Sequence, residues 1–147
     1  LTTDLQVERI IENSPLTPAV ESAIATVSET GTRELLQEAI LLHRSPYPAD
    51  IRDAVEKIWD AYERLKTYYT ELDKKASAAK IVNDAAGGVE AYSSLFNDEF
   101  FALTKIGNNF RIRHHETDKI EIIDVRHYDY FFNRCLSLIT LAIQYLE

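Results

Sequence analysis

Apolar residues recur along this chain at three- and four-residue intervals, and one short stretch alternates by two. The strongest stripe is Ile51, Ala54, Val55, Ile58, Ala61, Tyr62, Leu65 and Tyr69, flanked by Trp59. Asp53, Glu56, Lys57, Asp60, Glu63, Arg64 and Lys66 cover the opposite side. That is the period of an amphipathic helix. Asp50 is its expected N-cap, with Asp53 three residues on as in a capping box. Upstream, Thr2-Thr3-Asp4 before Leu5, Val7, Ile10 and Ile11 predicts a first helix. Thr17-Pro18 opens a second one carrying Ala19, Val20, Ala23, Ile24 and Val27, closed by Gly31. Thr32 opens a third, with Leu35, Leu36, Ala39, Ile40 and His43 along it. Ser45-Pro46-Tyr47-Pro48 is the clearest breaker.

Downstream, Asp73 is the expected cap of a helix over Lys74–Ala86 that ends at Gly87-Gly88. A short helix from Val89 to Leu95 is expected next. Asn97 then caps another from Asp98 to Ile106, stopped by Gly107-Asn108. Asp124 caps the last helix, whose face is Tyr128, Phe131, Phe132, Cys135, Leu138, Ile139, Ala142 and Leu146. Leu136, Leu141, Ile143 and Tyr145 make its other sides apolar as well. Such a helix is either central or meets a partner.

Between the last two helices the period changes to two. Phe110, Ile112 and His114 alternate with Arg111, Arg113 and His115, and Lys119, Ile120, Glu121 and Ile122 alternate again after Glu116-Thr117-Asp118. This predicts a β-hairpin over residues 109–123. A three-residue loop pairs His115 with Lys119, His114 with Ile120, Arg113 with Glu121 and Ile112 with Ile122, gathering the apolar residues on one face. His114 then points to the core. Arg111, Arg113 and His115 form an outward stripe about 13 Å long, from a rise of about 3.3 Å per residue. The stripe suits phosphate oxygens, although an Arg113–Glu121 ion pair also explains part of it. The two histidines face opposite ways, so no metal site is expected, and no cofactor motif is present.

The expected fold is therefore mainly α. It is a bundle of about six to seven helices with one small hairpin before the last helix, in one domain with an N-terminal layer over residues 1–45. The 147 residues suffice for one core. A net charge of -8 excludes a general nucleic-acid binder while leaving room for a local basic site. A single cysteine, Cys135, in an apolar helix reads as a core residue in a reducing cytoplasm. No membrane span is expected. The start at Leu1, the finish inside an apparent helix and the lack of methionine suggest a trimmed piece of a longer protein joined to other domains.

Two segments carry a family resemblance. Residues Arg52 to Lys66, and Gly107 to Glu116 followed by the helix from Tyr128 to Leu146, resemble the C-terminal helical domains of bacterial abortive-infection and related phage-defence proteins. Those domains are similar to the HEPN group of helical bundles, and the resemblance covers roughly residues 48–147. It implies a metal-independent endoribonuclease that uses an arginine and a histidine four to six positions later. Arg111 and His115 have the minimum spacing; no asparagine follows the arginine. On this resemblance Arg111, Arg113 and His115 are the catalytic candidates, with Arg111, Arg113 and Lys119 as phosphate ligands. His114, Arg126 and His127 are secondary candidates. The resemblance implies RNA as a partner, and the apolar sides of the last helix point to a second copy of the chain docked through it. The competing expectation is a non-catalytic helical interaction or dimerisation module of a multidomain protein.

Overall fold

The structure is a computed structural model that describes residues 7–9, 11 and 14–147. Among the described residues there are six helices and no strand: α1 Pro18–Ala25, α2 Thr30–His43, α3 Pro48–Leu65, α4 Lys74–Ala86, α5 Glu90–Asn109 and α6 Val125–Ile143. The helix predicted from Thr2 onward falls largely outside the described residues; Val7 to Arg9, which are described, are not helical.

The α3 stripe behaves as its periodicity demands. Ile51, Ala54, Val55, Ile58, Ala61, Tyr62, Leu65 and the flanking Trp59 are all buried. Full burial of a valine- or isoleucine-sized side chain contributes about 1.5–3 kcal/mol, so this face is a large part of the core. α3 packs against α2 on one side and α6 on the other, and α1 bridges α2 and α6. One hydrophobic cluster joins Ile24, Leu36, Ile58, Leu103 and Leu136, so the N-terminal helices share the core of the rest. α6 buries Phe132, Cys135, Leu136, Leu138, Ile139, Ala142 and Ile143. Burial raises the Cys135 thiol well above its ordinary pKa, which suits a packing residue.

α5 is attached differently. Only Phe100 and Leu103 of its 20 residues are buried. Two α3 side chains reach its backbone instead: Trp59 Nε1 donates to the Leu103 carbonyl at 3.2 Å and the Tyr62 hydroxyl to the Phe100 carbonyl at 2.6 Å. Gly107 sits where a Cβ would lie 2.9 Å from the Trp59 indole nitrogen, so this helix-ending signal acts instead as a close-approach site. α5 accordingly runs without a break through Asn97, where the sequence predicts two helices.

Capping also differs at two N-termini. Gly31 does not end α1; it lies in the first turn of α2, whose N-cap is Glu29. The Glu29 carboxylate accepts from the Gly31 and Thr32 amides, and Arg64 Nε of α3 donates to it at 2.6 Å. Arg64 lies across Gly31 in the space a Cβ would need. The Arg64 hydrogen bond holds the Glu29 carboxyl down at about 2. Asp50 is not the cap of α3: Tyr47 holds that position with Pro48 behind it, and Asp50 accepts from the Ser45 hydroxyl at 2.6 Å. The caps predicted at Thr17, Asp73 and Asp124 are present, and Gly87 closes α4 at a φ of 62°.

The predicted hairpin does not form. Residues 110–124 make an irregular loop with one isolated parallel bridge, Phe110 to Ile120. The Arg111 amide donates to the Ile120 carbonyl at 2.7 Å and the Ile120 amide to the Asn109 carbonyl at 3.0 Å. The alternation placed Ile112 and Ile122 in the core correctly. Ile120, however, is 57% exposed and His114 is exposed rather than buried. Contacts with α3 take the place of a strand ladder.

Candidate functional site

α3 offers the loop a row of charged groups, Arg52, Glu56 and Asp60, at intervals of four residues and hence on one side of the helix. Asp60 Oδ1 accepts from Arg113 Nη2 at 2.9 Å and Nε at 3.2 Å. One turn back, Glu56 Oε1 accepts from the His114 amide at 3.2 Å. These charge-assisted bonds to a helix outweigh the single exposed pair, Arg113 with Glu121, that a hairpin would have made. Glu121 instead lies 4.0 Å from Arg111. Tight turns complete the loop, with the Glu116 amide donating to the Arg113 carbonyl at 2.9 Å and the Lys119 amide to the Glu116 carbonyl at 3.2 Å.

The expected stripe is thus redistributed. Arg113 is an anchor against α3. Arg111 closes the loop, its Nε donating to the His114 carbonyl at 2.9 Å and its Nη2 donating to the same oxygen. That carbonyl belongs to the peptide joining His114 to His115. Both histidines are exposed, and among the described residues neither imidazole makes a hydrogen bond. Lys119 Nζ donates to the Asn108 carbonyl at the end of α5. Tyr128 of α6 completes the surroundings. Burial raises its phenol pKa, with Arg52 and Arg111 opposing and Glu121 reinforcing the rise, so these charges gather around one ring.

The secondary candidates stand apart from this cluster. Arg126 folds onto Asp124, the cap of α6, with Nη2 at 2.8 Å, and that bond holds the Asp124 carboxyl down at about 2. His127 is an exposed first-turn residue of the same helix. No hydrogen bond or ion pair among the described residues links either to Arg111 or His115.

A second polar cluster escaped the sequence reading. His43, at the end of α2, is 3% exposed and stacks on Phe132 with ring centroids 3.7 Å apart. Its Nε2 lies 2.9 Å from Asp129 Oδ1 of α6. Arg9 grips the same carboxylate at 2.9 and 2.7 Å, and its Nε donates to the His43 carbonyl at 2.8 Å. Burial, aided by the Arg9 charge, pushes the His43 pKa down to about 4, against the pull of Asp129. The signal was a histidine on an apolar helix face. Its partner lies 86 residues away and its counter-charge in an irregular segment, so no local pattern pairs them.

Neither a known protein family, nor a curated protein, nor a solved structure matches this chain. Among the described residues no group of histidine, cysteine and carboxylate side chains is arranged to hold a metal, and no helix is long and apolar enough to cross a membrane.

Proposed function

We propose that this chain is a HEPN-like domain of a prokaryotic defence or toxin-type protein that cleaves RNA at the α5–α6 loop. The supporting observation is the exposed His114–His115 pair, with the Arg111 guanidinium held on the peptide between the two residues. In this reading His115 accepts the proton of a ribose 2′-hydroxyl and the 2′ oxygen attacks phosphorus. The 5′ oxygen leaves, taking a proton from His114 or solvent. Arg111 stabilises the charge that develops on the phosphoryl oxygens. Arg113 acts through Asp60 as a positioning residue, and Lys119 ties the loop to the end of α5 through the Asn108 carbonyl. The test is cleavage of a labelled single-stranded RNA in excess chelator, with His115→Ala alongside. Loss of cleavage in the variant supports the assignment. Equal cleavage by the variant, or none by the parent, removes it.

A second reading is a non-catalytic dimerisation module that docks through the start of α6. Its support is the apolar exposure beside that helix end, where Ile123 is 82% exposed and Ile120 57%. A monomeric mass at high micromolar concentration, unchanged by Ile123→Asp, counts against it.

A further inference from the structure

We propose that α5 and α6 together form a face on which a second copy of this chain docks about a two-fold axis. The two helices line adjoining clefts of about 600 and 290 Å³, and Arg134 borders both. α5 gives Leu95 and Glu99 to the larger cleft, and Ala102 and Ile106 to the smaller. With Tyr92, which stacks on Phe96 in the wall of the larger cleft, these residues recur at intervals of three, four, three and four. α6 gives Tyr130, Arg134, Ser137 and Leu141 to the larger cleft, at intervals of four, three and four. Alternating threes and fours is the spacing at which helices pack lengthwise along one another. Here two such seams lie side by side and open to solvent, with Leu95 51% and Tyr130 56% exposed.

Burial and charge select the occupant. α5 has 20 residues yet buries only Phe100 and Leu103. A helix draws most of its stability from an apolar face packed on a neighbour, so the uncovered seam beside those two anchors calls for one. In the middle of the face, Glu99 of α5 and Arg134 of α6 form a loose pair 3.9 Å apart, both partly exposed. An occupant of a single charge sign meets repulsion from one of them. A second copy brings the matching set: across a two-fold axis Glu99 meets the partner's Arg134, and Arg134 meets the partner's Glu99. Glu99 also lies midway between Tyr92 and Ile106. Antiparallel seams with their ends in register therefore place the axis beside it. The face is about 20 Å wide, two helix diameters, and about 21 Å long from Tyr92 to Ile106 at 1.5 Å per residue. That is at the small end of specific interfaces, so association is expected in the micromolar range. Ile120 and Ile123 border neither cleft, so this face differs from the start of α6 considered above, and the proposal rests on neither functional reading.

The test is sedimentation equilibrium from low to high micromolar concentration. The parent chain should dimerise. Glu99→Arg and Arg134→Glu should each weaken the dimer more than about tenfold, because each sets like charges across the axis. Both side chains are only loosely paired at the surface, so helical circular dichroism should be unchanged. Mixed in equal amounts, the two variants should form a dimer at least as tight as the parent's, since one face is then basic and the other acidic. A chain carrying both reversals should also dimerise. A parent chain that stays monomeric at high micromolar concentration overturns the proposal, whatever else the groove binds. Variants that are monomeric alone and remain so when mixed overturn it too. A dimer that survives both reversals but is lost with Ile123→Asp moves the interface to the start of α6 and overturns it as well.

Discussion

Mild acid should destabilise this protein through one residue, His43. In the folded chain its imidazole is buried against Phe132 and titrates near 4, whereas the unfolded chain offers the ordinary value of 6.5. Between those values the unfolded state binds more protons than the native state, so stability is present in full above pH 6.5 and falls as pH is lowered. At about 1.4 kcal/mol per tenfold change in proton affinity, the loss from His43 reaches roughly 3 kcal/mol by pH 4, and about 1.4 kcal/mol is already gone at pH 5.5. The upper half of that window lies above the range in which carboxylates titrate, so their contribution separates from this one. The assay is urea unfolding of the parent and of His43→Gln at pH 7.5, 5.5 and 4.5. The glutamine variant should be less stable at pH 7.5, because it loses the stack on Phe132, yet its midpoint should move less between pH 7.5 and 5.5. Equal shifts in the two chains over that interval would refute the reasoning, since the protons taken up would then belong to other groups.

Other consequences follow from the packing. Arg113→Ala should free the 110–124 loop from Asp60 and raise amide exchange at Glu116 and Lys119, with Asp60→Asn giving a weaker form of the same effect; unchanged exchange in both variants would show that the anchor does not hold the loop. Gly107→Ala should crowd the Trp59 indole. The overpacking, about 1–3 kcal/mol, exceeds the helix-propensity gain of about 1 kcal/mol, so a lower Tm and a shifted emission of the only tryptophan are expected. Leu103→Ala removes the most deeply buried aliphatic anchor of α5 and should cost about 2–5 kcal/mol in chemical unfolding; a cost below 1 kcal/mol would mean that α5 is held mainly by the hydrogen bonds from Trp59 and Tyr62.

Much of the architecture follows from local pattern. The α3 stripe has one face of apolar residues at helical spacing, and no tertiary partner is needed to know which side is buried. Asp73 with Gly87, and Asp124, mark helix ends because capping satisfies backbone groups within a single turn. The same locality explains the errors. Gly31 and Gly107 read as stops because glycine usually breaks helices. In the fold each is inside a helix, one beneath Arg64 and the other beside Trp59, both from α3. Asn97 reads as a cap, yet α5 continues through it, held by Trp59 and Tyr62.

The candidate site divides along the same line. The sequence by itself determined that Arg111 to Lys119 form a basic, histidine-bearing stretch between two helices; its alternation placed Ile112 and Ile122 inward rightly, and Ile120 and His114 wrongly. Only the tertiary structure decided the rest. A strand ladder and a bond to a distant helix compete for the same backbone and side-chain groups, and the period-two pattern counts only the first. With Asp60 and Glu56 set one turn apart on α3, the loop's arginine and amide find charged acceptors there, the hairpin is displaced, and both histidines turn to solvent. The pairings of His43 with Asp129 and of Arg9 with the same carboxylate were likewise set by packing. Each joins residues far apart in the chain, where spacing along the sequence carries no information about distance in space.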